Sequence, residues 1–308
     1  MKKIFWFVFI VLCVILFMLF FLKKEKITEN NKLEEVASKK ITDTLQVTYL
    51  DIGQGDASFV NFPNGEQMLI DCSMDGRVLE ALERVMPYYD KDLDYLMITH
   101  PDLDHYGGCE EVLQRFSIKN IIYNGLEKNS DKMWLSFWQA VQNEGANYIE
   151  VDKEEVVDIA STTLHFFYPD HSLKENKNIP NTKSEANGNN TSIVFKLFYL
   201  DKNLLFMGDA EEELEKYLLS IYGKQLDSDI LKLGHHGSDS SSIEEFLQVV
   251  TPEQSVVSCG LENKFGHPSR RVLKRLERIV TSSTIWRTDL QGDISLNLDE
   301  SGLQMSAN

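Results

Sequence analysis

What this 308-residue sequence is short of is positive charge. Lys and Arg number 31 against 48 Asp and Glu, a formal net charge of −17. Lys2, Lys3, Lys23, Lys24 and Lys26 against Glu25 make the first 26 residues +4, so the remaining 282 carry −21. A protein that grips nucleic acid along a broad face meets phosphates with Lys and Arg, and this balance argues against one. It leaves room for an enzyme that holds a single phosphate through metal ions. Cysteine is also sparse: Cys13, Cys72, Cys109 and Cys259 show no CxxC spacing. A disulfide framework is therefore not expected, and these residues read as small buried side chains. No internal repeat is visible. Hydrophobic residues at 43% and charged ones at 26% are ordinary for a globular chain, which excludes wholesale disorder and a polytopic membrane protein.

One long apolar run is present. Ile4 to Leu22 holds 19 residues without charge, Gly or Pro, close to the length that spans a bilayer as a helix. It ends in Leu19-Phe20-Phe21-Leu22, without the small residues of a cleavage site. The expectation is a retained single-pass anchor over 1–22 in a cell membrane, with the bulk of the chain outside the cytoplasm. Lys23 to Thr44 is polar and Pro-free and reads as a tether. One domain is expected over 45–308. Strand patterns start at Leu45 and fall at 57–62, 66–71, 94–99, 118–123, 163–168, 192–200, 203–207, 229–233, 254–258, 283–287 and 292–298. Helical patterns fall near 76–86, 108–115, 131–144, 211–221, 242–249 and 269–279. Hairpins mixed with strand–helix alternation predict sheets covered by helices. Residues 172–191, rich in Lys, Asn and Glu, read as a long surface loop.

The sharpest local signal is Thr99-His100-Pro101-Asp102-Leu103-Asp104-His105-Tyr106-Gly107-Gly108, after an apolar strand and before a helix. Four potential ligands lie within six residues, and a turn at a strand end can aim them at one centre. Imidazole and carboxylate suit Zn, Mn or Fe. Asp104 is also a plausible helix N-cap. Leu204-Leu205-Phe206-Met207-Gly208-Asp209 sets a carboxylate at the end of another apolar strand, where it could ligate or cap. Ile230-Leu231-Lys232-Leu233-Gly234-His235-His236-Gly237-Ser238 sets a His pair past a third.

Together these segments resemble the metallo-β-lactamase fold superfamily, and within it the hydrolase domain of ComEC-type competence proteins. The resemblance also rests on Asp51-Ile52-Gly53-Gln54-Gly55-Asp56-Ala57, Leu69-Ile70-Asp71-Cys72, Asn189-Asn190-Thr191-Ser192, Gly208-Asp209-Ala210, Phe265-Gly266-His267-Pro268 and Arg287-Thr288-Asp289-Leu290-Gln291-Gly292. It covers about 45–300 in order, with Cys72 where the family usually has Gly. It implies an α/β, four-layer αββα sandwich with metals at the sheet ends, here as a stand-alone domain behind one anchor. It implies one or two divalent ions, zinc or manganese. His100 and Asp102 are implied for a first site, Asp104, His105 and His235 for a second, and Asp209 as the bridge. His236 is implied as the alternative or outer His. The superfamily commonly has His where Asp102 stands, and its separate His before the bridging Asp is missing. The first site is thus expected to be oxygen-rich and weak, which makes manganese a competitor to zinc.

Metal-activated hydroxide would attack a phosphodiester, with Asp104 orienting the nucleophile. His236, Ser238 and His267 are candidates to steady phosphoryl oxygens or assist the leaving group. Asp51, Gln54, Asp56, Asn190 and Ser192 are expected to support the ligands or touch substrate. Asp71 is read as a supporting or turn-capping carboxylate. DNA is the substrate class the resemblance implies. A cell-envelope phosphodiester or small nucleotide is the first rival, and a catalytically weak metal-binding membrane module the second. Trp134 and Trp138, with Leu135 and Val141, read as a helix core stripe. Arg270, Arg271, Lys274, Arg275 and Arg278 form the one local basic cluster, read as a solvated helix face.

Overall fold

The computed structural model describes residues 42–182 and 188–307. The expected anchor, and the tether before residue 42, lie outside the described residues. Among the described residues no helix is long and apolar enough to cross a membrane.

Among the described residues fifteen strands form two sheets. The first sheet contains β1 (Leu45–Tyr49), β2 (Ser58–Asn61), β3 (Gln67–Ile70), β4 (Asp92–Ile98), β5 (Ser117–Tyr123), β6 (Asn147–Glu150), β14 (Ile294–Asp299) and β15 (Gly302–Ala307), in the order β15-β14-β1-β2-β3-β4-β5-β6. The second contains β7 (Glu155–Ile159), β8 (Thr162–Tyr168), β9 (Val194–Tyr199), β10 (Lys202–Phe206), β11 (Ile230–Lys232), β12 (Gln254–Val257) and β13 (Thr284–Arg287), in the order β13-β12-β11-β10-β9-β8-β7. Each sheet is antiparallel on one side and parallel on the other. The parallel ladders join β3 to β4, β5 and β6, and β10 to β11, β12 and β13.

Alternation along the central strands explains the layering, because successive side chains point to opposite faces. Met68, Ile70, Met97 and Ile122 share a core with Phe195, Leu204, Phe206, Ile230 and Val256 between the sheets. The intervening Leu69, Leu96, Ile98 and Ile121 pack outward on Val78 and Leu82 of α1 (Arg77–Val85), Tyr106 of α2 (Leu103–Tyr106), Val112 of α3 (Cys109–Arg115), and Trp134 and Phe137 of α4 (Lys132–Glu144). On the other side Leu205, Leu231 and Val257 pack on Leu214 of α5 (Glu212–Tyr222), Phe246 of α6 (Glu244–Val250) and Val272 of α7 (Arg270–Ile279). The result is the expected four-layer αββα sandwich. Strands buried on both faces read as continuous apolar runs, which is how parallel strands appear in sequence. The edge strands β6, β7 and β15 carry mostly exposed or half-buried residues, and the sequence pattern misses all three.

Several expectations change. Cys72 and Cys109 form a disulfide with Cα atoms 5.2 Å apart. The loop after β4 folds back against the end of β3, with Cys72 N donating to His105 O (2.6 Å), so two cysteines 37 residues apart become neighbours. Only Cys259 among the described cysteines is free and buried. Trp134 is buried as expected, but Leu135 is exposed, facing away from that stripe. Within 172–182 Leu173 and Ile179 are buried, so this stretch is anchored. Arg271 and Arg278 of the basic cluster pair with Asp239 and Glu244, and Arg275 donates to the carbonyls of Ser241 and Ser242. Arg271 and Arg278 stay largely exposed, as a solvated helix face does, and Arg275 ties the helix to the preceding segment.

The disulfide closes a loop of a few tens of residues, for which chain entropy gives about 2–4 kcal/mol. Cys72→Ser with Cys109→Ser is expected to lower unfolding free energy by that amount in a urea titration. An unchanged midpoint would reject the cross-link.

Candidate metal centre

The parallel strands of both sheets end at the same edge, and their exit loops supply the cluster. Asp71 follows β3, His100 to His105 follow β4, Asp209 follows β10, His235 and His236 follow β11, and Ser258 follows β12. The loop after β4 is braced by the turn at Gly55, where φ is +114° and a Cβ would sit 2.4 Å from Asp104 O. Only glycine fits there. Asp56 N donates to the same carbonyl (3.1 Å), and Ser73 N donates to Asp56 O (2.8 Å).

Four imidazoles converge on the Asp209 carboxylate. Their Nε2 atoms lie 3.2 Å (His105), 3.4 Å (His236), 3.9 Å (His235) and 4.0 Å (His100) from its oxygens. His236 Nε2 is also 3.4 Å from Asp104 Oδ2. The opposite ring nitrogens fix the tautomers. His105 Nδ1 donates to Asp71 Oδ2 (2.7 Å), and His236 Nδ1 donates to Ser258 O (3.0 Å). Thr99 Oγ1 spends its proton on Asp71 Oδ2 (2.7 Å), so it accepts from His100 Nδ1 (3.1 Å). Each of these three Nε2 atoms therefore turns a lone pair to the centre once any proton on it is given up, the arrangement a metal-binding His needs.

The residues fit a divalent cation. His100 Nε2, His105 Nε2, His236 Nε2 and Asp209 Oδ1 are buried without a hydrogen-bond partner, a cost a fold rarely bears without an ion or water. His100, His105 and Asp209 form one candidate ligand group, and Asp104, His105 and His236 another. Burial lowers the pKa of His236, but Asp209 and Asp104 outweigh it and push it up to about 10. Burial likewise opposes charge on His105, and Asp209 and Asp71 hold it well above the usual imidazole value. Burial and His105 hold His100 down at about 4. The Asp209 carboxyl stays well below its ordinary value because His236 and His105 overcome its desolvation. The centre is a buried anion that demands positive charge, from protons or from a metal.

The other expected site residues divide. His235 and His236 exchange places: His236 is buried in the second group, while His235 lies to the side with Nδ1 on Glu211 Oε1 (3.1 Å) and Ser240 Oγ (3.2 Å). The β11 exit turn forces this, since both histidines take positive φ. Asp102 points one oxygen at His100 Nε2 (3.7 Å) and gives the other to Lys128 Nζ (2.7 Å). Ser192 Oγ accepts from Asp209 N (2.9 Å), and Asn190 Oδ1 accepts from Glu211 N (2.9 Å), so both position the bridge region. His267 packs beside His235 and His236, ring centroids 5.4 and 6.4 Å away. Ser238 Oγ bonds Ser240 Oγ (3.0 Å) rather than a ligand. Gln54 stays outside the ligand groups, its Oε1 buried without a partner. Asp51 is a correction: it is exposed and its Oδ1 accepts from Gly53 N (3.1 Å), capping a turn.

Asp56 lies near enough to group with Asp209 and His236, but its Oδ2 is taken by buried Lys232 Nζ at 2.6 Å. Sequence reading passed over Lys232, although a lysine inside an apolar strand demands a buried partner. It also passed over Lys128, which announces itself by no spacing.

Fold and cluster together define a metallo-hydrolase scaffold. The chain belongs to the metallo-beta-lactamase superfamily, whose family profile matches residues 50–261. More particularly, it is homologous to ComEC-type competence proteins. It is 30% identical over 270 residues to ComE operon protein 3 of Bacillus subtilis (strain 168), covering 81% of this chain and 32% of that protein. To Competence protein ComA of Neisseria gonorrhoeae it is 29% identical over 267 residues, covering 84% and 33%. The chain thus spans about a third of the length of these curated relatives. Among solved structures, the metallo-beta-lactamase fold protein YhfI of Bacillus subtilis superposes with a TM-score of 0.53 at 11% identity, covering 83% of this chain and 100% of that one.

Two expectations follow. Asp71→Asn, which weakens the orientation of His105, is expected to reduce metal affinity about 10–100-fold in a competition titration with a chelating dye. Metal must displace protons that His105 and His236 hold at neutral pH, so apparent affinity should rise with pH, about tenfold per unit for each proton displaced. Calorimetry in buffers of different ionisation enthalpy counts those protons, and a count of zero would reject the pairing.

Proposed function

We propose that this chain is a metal-dependent phosphodiesterase, a DNA nuclease of the competence type, anchored in the cell membrane by its N-terminal apolar run with the hydrolase domain outside the cytoplasm. The observation that carries the reading is the convergence of buried, unpartnered Nε2 atoms on the Asp209 carboxylate. The names of the competence relatives support the substrate class. The Cys72–Cys109 disulfide supports the compartment, because such bonds persist where the surroundings are oxidising.

A bound zinc or manganese ion supplies hydroxide near neutral pH and a Lewis acid for the phosphoryl group. Asp104, His105, His236 and Asp209 would hold one ion, and His100 with Asp102 and Asp209 a second. Asp104 is the partly exposed member. Burial raises its pKa, but the close approach of His236 and the His105 and His236 charges hold it well below the carboxylate range. It is ionised, faces incoming water and can accept that water's hydrogen bond. His267 is held neutral, its pKa lowered to about 4 by burial and by His235 and His236; it offers an N–H to a phosphoryl oxygen. The Lys128–Asp102 pair favours a one-ion version of the reading, since one Asp102 oxygen is already engaged by an ammonium.

Elemental analysis of the purified protein is expected to find one to two transition metals per chain. Asp104→Ala and His105→Ala are each expected to cut hydrolysis of a generic phosphodiester at least about 100-fold. Equal rates in wild type and variants would assign the activity elsewhere. Single- and double-stranded DNA assayed beside teichoic acid and cyclic dinucleotides separates the nuclease from the envelope and small-nucleotide rivals.

A further inference from the structure

The loop after β12 carries a feature the hydrolytic reading does not use. Phe265 is half exposed, at 50%, on an exposed loop tip where burial would be expected for its ring. Its ring stacks on His267 with centroids 5.8 Å apart and planes within 12°. His267 in turn lies nearly parallel to His236, at 6.4 Å and 25°. Three rings thus step from solvent to the floor of the metal centre. The loop holds this shape without help from Phe265. Asn263 Nδ2 donates to Gly260 O (2.9 Å) and His267 O (2.5 Å), and Asn263 Oδ1 accepts from Phe265 N (3.2 Å) and His267 N (3.0 Å). Lys264 Nζ lies over the Phe265 ring, 5.0 Å from its centroid, so a base stacking on that face takes the place of the ammonium there.

We infer that Phe265 is a base-stacking platform for single-stranded nucleic acid bound in the adjacent metal centre. This rests on the phosphodiesterase reading above. A rigid, exposed aromatic beside a lysine offers what a nucleobase and its phosphate take up: a π-face and a positive charge. The occupant is single-stranded, because a base inside a duplex presents its face to its neighbours and cannot lie on a protruding ring. The ring steps put Phe265 at most about 12 Å from His236. At about 3.4 Å per stacked nucleotide, the base on Phe265 lies within a few nucleotides of the scissile bond. One aromatic and one lysine make a local grip, which suits a domain whose net charge repels extended nucleic acid.

The test is equilibrium binding of a labelled, hydrolysis-resistant phosphorothioate oligothymidylate to the metal-loaded full chain, read by fluorescence anisotropy. A matched oligomer with abasic residues throughout serves as the comparison. Wild type is expected to prefer intact bases about 5- to 100-fold, the range of one stacking contact. Phe265→Ala and Phe265→Leu should bring that ratio close to one, and Phe265→Trp should keep it. Leu retains apolar bulk without a π-face, so a ratio preserved in Phe265→Leu would overturn stacking in favour of plain hydrophobic contact. A ratio unchanged in Phe265→Ala, or no base preference in wild type, would overturn the platform. Circular dichroism and metal content of each variant show that the fold persists. Cleavage is scored separately: base-dependent binding without cleavage of any oligonucleotide removes the nuclease reading and leaves the platform standing.

Discussion

Everything around the centre depends on one buried anion. Asp209 is ionised where the two sheet edges meet, 2% exposed, where an isolated carboxylate costs several kcal/mol. The fold answers with imidazoles from both sheets, and Ser192 Oγ holds the Asp209 backbone in place by accepting from its N–H. Each imidazole is then locked from behind by a carbonyl, a hydroxyl or Asp71. Removing any one back contact frees a ring to turn away, so the outer shell is as much a part of the centre as the ligands.

The topology explains why such a cluster can form. Parallel strands carry their chains to one edge of each sheet, and packing two such sheets face to face brings the two edges together. Five exit loops, distant in sequence, meet there without distorting the core. The glycine at position 55 and the Cys72–Cys109 bridge hold the ligand loop after β4 against the neighbouring strand end. The chemistry is thus carried by loops and its precision by strands.

Much of this was legible in the sequence. The apolar runs ending in His100, Asp209 and His235-His236 announced buried strands with polar exits, and the order of motifs announced the sandwich. What escaped detection was of three kinds. The edge strands β6, β7 and β15 lack the alternation that burial imposes. The disulfide needed the fold-back of the ligand loop, which no spacing encodes. The exchange of His235 and His236 depends on positive φ angles in a four-residue turn, and adjacent identical residues give no hint of which one faces inward.

The Lys232–Asp56 pair has an evolutionary reading. Breaking a buried ion pair by losing one partner costs about 3–5 kcal/mol, whereas replacing both with apolar groups can be close to neutral. Here the two partners sit 176 residues apart, one under the opening turn and one in the strand that delivers the histidines. Single substitutions at either position leave a stranded charge beside the metal centre. Lineages descending from such a sequence must therefore keep both residues or change both together, and positions 56 and 232 should travel through the family as a unit.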